Sequence, residues 1–250
     1  MEKKLSVVNV FASPHKEWSK RMTTEKERSE LFKKGLSVLE ALEVNDELIA
    51  TVANHSEAAT HMLRRVADNG LENHIDRALT TSPEFRALRD LMPQDEPEAL
   101  RSYQSQFPNH DDATADEAIK AYGVEMAEGQ TLFHGGLWAS ASPTITTSRP
   151  FSTSFCPQVA LRNADFRGKA YDAGRLDLMV VRVTQPKTKA YAFGRESDHG
   201  HEKEVVFASG AHLTRVTETY IADVTVAKAI SGTHVETKEV PGYLIEVEIS

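Results

Sequence analysis

The spacing of apolar positions changes near the middle of the chain. Up to about residue 127 they recur at steps of three and four, the period of an amphipathic helix. Leu31, Phe32, Leu36, Leu39 and Leu42 mark a helix from Thr24 to about Glu43, with Thr24 placed as cap and Glu27 completing a capping box. Asn45-Asp46-Glu47 reads as the start of a second helix with Leu48, Ile49 and Val52 on its apolar face. Ser56 opens a third, carrying Met62, Leu63 and Val66, and Asn69-Gly70 reads as its C-terminal cap. Leu71, Ile75 and Leu79 form a fourth stripe. Ser82-Pro83 is a start signal for a fifth, which buries Phe85, Leu88, Leu91 and Met92. Pro93 to Ala115 is polar and turn-rich, with one short helix predicted at Glu98 to Tyr103, and is the best linker candidate. Helix returns from Ala115 to Ala127. Residues 1–22 are poorly patterned, interrupted by Ser13-Pro14-His15.

From Gln130 onward short β-rich runs replace the helical period: 131–133, 144–147, 176–183, 189–192, 205–207, 213–217, 220–226 and 243–248. Around Leu178 to Val183 the pattern is that of a central or half-buried strand. The fold class is α+β: a helical region over 1–115, then a mostly antiparallel β unit over 116–250. No Gly-Xaa-Gly-Xaa-Xaa-Gly fingerprint of a doubly wound dinucleotide fold is present.

Composition narrows this picture only a little. The 250 residues, 40% hydrophobic and 26% charged, are ordinary for a globular protein. A formal net charge of -8 argues against a phosphate-backbone binder. Cys156 is the single cysteine, so there is no internal disulfide and no thiolate metal site; it reads as a packing residue. The apolar stretch after Met1 is broken by Ser6 and Asn9, and no later segment reaches the ~20 apolar residues of a membrane span. The chain is therefore expected to be made in the cytosol, with export or injection left open. His55, His61 and His74 are taken as surface or interface histidines, since His55 and His61, six apart, do not share a helical face. No metal is expected. Trp18, among Lys16, Lys20 and Arg21, reads as a peripheral packing anchor.

The chemistry concentrates in Gly200-His201-Glu202-Lys203-Glu204-Val205-Val206-Phe207-Ala208-Ser209-Gly210. Alternate strand residues share a face, so Glu202 and Glu204 are expected to point side by side. Two carboxylates held together resist double ionisation and can divide labour. Taken alone, Glu-Lys-Glu is a solvated charge run. The polar segment before it, Phe193 to Gly200, reads as a loop delivering something to the glutamates. Some 50 residues upstream, Phe151-Ser152-Thr153-Ser154-Phe155 reads as a strand end, followed by a helix from Pro157.

Together Ser-Thr-Ser, the Pro-Xaa-Val-Ala-Leu helix and Glu-Lys-Glu-Val with its glycine turn resemble the mono-ADP-ribosyltransferases of the Arg-Ser-Glu toxin and effector class, over residues 125 to 250. The resemblance implies the split-sheet NAD-binding fold of that class. It implies transfer of ADP-ribose from NAD to a macromolecule, most often an arginine on a target protein. Glu204 aligns with the catalytic glutamate, Glu202 with the glutamate that serves the acceptor, and Ser152 with the serine that orients the catalytic glutamate and lines the nicotinamide pocket. Thr153 and Ser154 would support that strand at the cofactor. His134, in Thr131-Leu132-Phe133-His134-Gly135-Gly136, stands where the class has arginine; it would contact the cofactor, and Gly135 would admit the nicotinamide amide. This departure resembles the histidine of poly-ADP-ribosylating and diphtheria-like enzymes. Phe193 resembles the aromatic that recognises the acceptor. Arg149 reads as a solvated loop arginine, or else as the missing phosphate-binding cation. The resemblance also implies a toxin, effector or phage-type role and, as a further partner, an inhibitor or antitoxin protein. Transfer to an RNA or DNA base, and an inactive homologue that only binds NAD or a partner, are the alternatives.

Overall fold

The computed structural model describes residues 5–196, 199–232 and 234–250. Met1 to Lys4, and Ser197 and Asp198 of the loop predicted ahead of the glutamates, lie outside the described residues.

The chain opens with strand β1 (His15–Met22), helix α1 (Glu25–Lys33) and strand β2 (Glu43–Val52). α1 carries the predicted capping box, with Thr24 Oγ1 accepting from Glu27 N and the Glu27 carboxylate accepting from Thr24 N. β2 corrects the second helix expected from Asn45. It pairs antiparallel with β1, from His15↔Val52 to Met22↔Glu43, and leaves Leu48 and Ile49 about half exposed. The cause is a partner strand: β1 satisfies the backbone groups of β2, and Val44, Ile49, Thr51 and Val52 suit a pleated surface.

Helices α2 (His55–Arg65), α3 (Asn69–Thr81), α4 (Pro83–Arg89), α5 (Glu98–Ser105) and α6 (Asp112–Tyr122) follow. Asn69-Gly70 begins α3 rather than ending α2. Asp68 is the cap, and its Oδ1 accepts from the backbone nitrogens of Gly70 at 2.8 Å and Leu71 at 3.1 Å. Ser82 caps α4 as predicted, accepting from Phe85 N at 3.1 Å, with Pro83 in the first turn.

The β-rich half comprises β3 (Val124–Glu125), β4 (Thr131–Gly136), β5 (Thr144–Thr146), β6 (Phe151–Ser154), helices α7 (Pro157–Asp165) and α8 (Lys169–Ala173), then β7 (Leu176–Val183), β8 (Lys189–Ala192), β9 (Glu204–Phe207) and a long hairpin of β10 (His212–Ser231) and β11 (His234–Ile249). Its sheet order is β3-β8-β9-β6-β4-β7-β11-β10-β5. Every pairing is antiparallel except β7 with β11. Between β4 and β6 the ladder narrows to one register pair, Phe133↔Ser154. The sheet is thus split into β3-β8-β9-β6 and β4-β7-β11-β10-β5, and the α+β, mostly antiparallel reading holds.

α7 packs tightly on β4 at this split. A Cβ on Gly135 would lie 1.6 Å from the Ala160 carbonyl oxygen, so only glycine lets helix and strand approach so closely. One buried cluster runs through both regions, joining Met62, Leu71, Ile75, Leu79, Phe85, Leu100 and Ile119 to Phe133, Val181, Tyr191, Phe207 and Ile245. Even the poorly patterned N-terminus is held. The buried Gln130 side chain accepts from Val8 N at 2.8 Å and donates to Val8 O at 3.0 Å. Among the described residues, no helix is long and apolar enough to cross a membrane.

Candidate active site

The site follows from the register of β6 and β9. Ser152 faces Val206 and Ser154 faces Glu204. Residues two apart on a strand share a face, so Ser152 and Glu204 meet diagonally across the pair. Ser152 Oγ donates to Glu204 Oε1, and Gln104 Nε2, from α5, donates to Glu204 Oε2 at 2.8 Å. Each carboxylate oxygen is therefore held by its own donor. Burial pushes the Glu204 pKa up to about 7; the Ser152 and Gln104 hydrogen bonds pull it down, and the Glu202 and Glu96 charges push it up.

Glu202 reaches the same space by a different route from the one expected. It ends a 3-10 turn, Gly200–Glu202, and is not in the strand. Lys203 follows in the left-handed region at φ 52° and turns the chain into β9. The alternation survives the turn. Glu202 and Glu204 both line the cleft, while Lys203 points away and is buried, its Nζ donating to His201 O at 2.7 Å and lying 3.3 Å from Glu72 Oε1 and 3.2 Å from Asp76 Oδ1 of α3.

His134 reaches across the split from β4. Its Nδ1 donates to Ser152 O at 2.6 Å, which fixes the tautomer and leaves Nε2 as an acceptor. Burial pushes its pKa down to about 4 against the raising effect of that hydrogen bond, and the Lys169 and Arg149 charges lower it further. The ring packs on Phe151 with centroids 4.4 Å apart. At neutral pH His134 is thus an uncharged acceptor and cannot replace a guanidinium's charge. The cations of the site are Arg149 and Lys169, which line the same cleft; the Lys169 pKa is pushed down chiefly by burial and then by the Arg149 and Arg167 charges. Two cations turned into one space are stabilised by an anion between them.

The cleft measures about 630 Å³, and Tyr103, Phe107, Asn163 and Phe166 are among the residues that line it alongside these. Ser152, His134, Glu202 and Glu204 are brought together in it. Thr153, Ser154, Gly135 and Phe193 are not. Thr153 is buried with its hydroxyl donating to Val205 O at 2.7 Å, and Ser154 Oγ donates to Glu202 O at 2.6 Å and accepts from Cys156 N at 3.0 Å. These two shape the strand junction from behind the site. Gly135 serves the contact with α7. Phe193 is 2% exposed, packs edge-on against Tyr191 at 5.1 Å as a core residue, and does not line the cleft. Gln104 and Lys169 carry no signal in the sequence: one lies in the polar stretch read as a linker, the other in a helix of five residues.

No family model and no curated protein matches the chain. Several solved structures are similar to it. The Vis toxin, an ADP-ribosyltransferase from Vibrio splendidus, is 14% identical, over 92% of this chain and 88% of that chain, with a TM-score of 0.30. The enzymatic component C2-I of the C2-toxin from Clostridium botulinum is 10% identical over 66% of this chain, with a TM-score of 0.36. The ADP-ribosylating toxin BECa of C. perfringens, solved with NADH, is 12% identical over 78% of this chain, with a TM-score of 0.34. This chain spans 45% of the C2-I chain and 46% of the BECa chain.

Proposed function

We propose that the chain is an NAD-dependent mono-ADP-ribosyltransferase of the toxin or effector kind, acting on a macromolecule, with arginine on a target protein as the favoured acceptor. One observation carries this reading: a single carboxylate, Glu204, is gripped by Ser152 and Gln104 in a cleft that also holds two cations and a neutral imidazole. The residues fit NAD as substrate. A cleft of about 630 Å³ lies within the range of about 300–1,000 Å³ usual for small-molecule sites. Arg149 and Lys169 suit a diphosphate, and His134 Nε2 can accept from a ribose hydroxyl.

Bound NAD supplies a ribose whose bond to nicotinamide breaks with the electron pair leaving on nicotinamide. The Glu204 carboxylate stabilises the positive charge that develops on the sugar, as carboxylates do in glycoside cleavage. Ser152 and Gln104 keep that carboxylate in one orientation, so it need not reorganise as the charge appears. Glu202, at the more open side of the cleft, takes a proton from the incoming acceptor. Water has no need of that base if it attacks a fully formed cation.

The test uses NAD labelled in its adenylate half with a panel of arginine-bearing protein, RNA and DNA. Wild-type protein is expected to label the protein acceptor. Glu202→Gln is expected to lose transfer by about 100-fold or more while still releasing nicotinamide to water. Label on nucleic acid alone would replace the acceptor named here. Equal loss of transfer and hydrolysis would remove Glu202 from the base role.

A further inference from the structure

A second cluster of chemistry-bearing side chains lies outside the cleft, where β1 crosses α2 and the start of α3. β1 delivers His15 and Glu17, α2 delivers His61, and Asp68 caps α3. His61, expected at the surface or an interface, is buried here at 8% exposure, and so is His15. His61 Nε2 lies 2.8 Å from Asp68 Oδ2, and His15 Nε2 lies 3.3 Å from the same oxygen. Glu17, His61 and Asp68 each offer a ligand atom, all within 4.8 Å of one another.

Each carboxylate has one oxygen engaged and one turned to the cluster. Asp68 Oδ1 caps α3 through Gly70 and Leu71, leaving Oδ2 to both imidazoles. Glu17 Oε1 is held by Arg65, and Glu17 Oε2 is buried without a hydrogen-bond partner. His15 Nε2 is likewise buried without a well-directed partner, although its side chain is only 9% exposed. Burying an unpaired polar nitrogen is costly, and here it is aimed at a carboxylate oxygen that another imidazole already occupies.

We propose that His15, His61, Asp68 and Glu17 form a binding site for a divalent cation of the zinc class. Two imidazole nitrogens and two carboxylate oxygens are a donor set zinc accepts in tetrahedral geometry. Bonds of about 2.0–2.1 Å place tetrahedral ligand atoms about 3.3 Å apart. The 2.8 and 3.3 Å distances from His61 and His15 to Asp68 Oδ2 are already near that figure, Glu17 lies within 4.8 Å of His61 and Asp68, and the side chains of Glu17 and His15 close in further when the ion binds. The ligands come from three elements, so the ion staples β1 to α2 and α3. Its role is structural, and it stands apart from the cleft. α3 in turn carries Glu72 and Asp76, which hold the buried Lys203 between the two cleft glutamates.

The full chain, stripped with a chelator, is titrated with zinc chloride against a competing chromophoric chelator, with thermal unfolding followed in parallel. One zinc ion per chain and a rise in Tm are expected. Losing an outer partner of a metal site costs about 10–100-fold in affinity, so His61→Ala and Asp68→Asn are expected to weaken binding by at least about 100-fold. Asparagine still caps a helix, so Asp68→Asn decides the matter even if His61→Ala does not fold. His201→Ala, which removes a histidine of a second metal-competent group among the described residues, His199, His201 and Glu202, is expected to bind zinc as wild type does. No stoichiometric binding, binding that survives Asp68→Asn, or binding lost in His201→Ala would overturn the assignment.

Discussion

Glu204 shows how one carboxylate can be both costly to the fold and suited to its task. Burial raises its pKa to about 7, while Ser152 and Gln104 donate to the ionised form and limit the rise. Between the ordinary carboxylate range and about pH 7 the folded chain holds a proton on Glu204 that the unfolded chain has released. Stability from this group is full below that window and falls as pH rises through it. Glu204→Gln is neutral at every pH and escapes the fall. Urea denaturation at pH 5 and pH 8 should show Glu204→Gln gaining stability relative to wild type at the higher pH. An unchanged difference between the two would show that Glu204 titrates near its ordinary value. Of the groups that make this residue what it is, Ser152 and Glu202 are legible in the sequence because they sit in short local motifs. Gln104 is not, because a polar helix in a turn-rich segment carries no mark of the carboxylate it will meet about 100 residues later. His134 is legible as a position and misleading as a charge, since only its burial and its bond to Ser152 O reveal the neutral tautomer.

At the level of elements, the two glutamates owe their common direction to a left-handed turn at Lys203 that the strand pattern does not foresee. That turn is anchored from α3. The Lys203 side chain is 1% exposed and lies among Glu72, Asp76 and the His201 carbonyl. Removing one partner of a fully buried ion pair costs about 3–5 kcal/mol. Glu72 also accepts from Gln158 and Arg162, and Asp76 pairs with Arg195, so both keep partners when the lysine is lost. Lys203→Met should therefore destabilise the fold by a smaller amount, about 2–3 kcal/mol, the scale of charge-assisted hydrogen bonds. Chemical denaturation measures it, and a change under about 0.5 kcal/mol would show that the anchor contributes little. The caps of α1 and α4 are legible because they are local hydrogen-bond patterns. β2 is not, because Leu48, Ile49 and Val52 fit a helical step as well as a strand, and the polar β1 that pairs with it gives no apolar signal.

Across the whole molecule, the boundary suggested by texture near residue 115 does not part the site. α5, from the helical front, supplies Gln104 and Tyr103 to a cleft whose other walls include β4, β5, β6, the loop of Arg149, α7, α8 and the turn before β9. The cleft lies beside the split of the sheet, across which the Phe133 and Ser154 register pair and the His134 bond to Ser152 O join β4 to β6. The β-rich half is legible in its short strands, and the α+β class with it. The merging of both halves into one core is not, since apolar stripes do not name their partners. The central claim is that this cleft uses Glu204 to break the bond between ribose and nicotinamide. The most direct measurement is nicotinamide release from NAD at pH 8, where Glu204 is ionised, by wild type and by folded Glu204→Gln. Wild type is expected to release nicotinamide, and Glu204→Gln to do so at least about 100-fold more slowly, the scale of losing one transition-state contact. No release by wild type, or release by Glu204→Gln at the wild-type rate, would contradict the account.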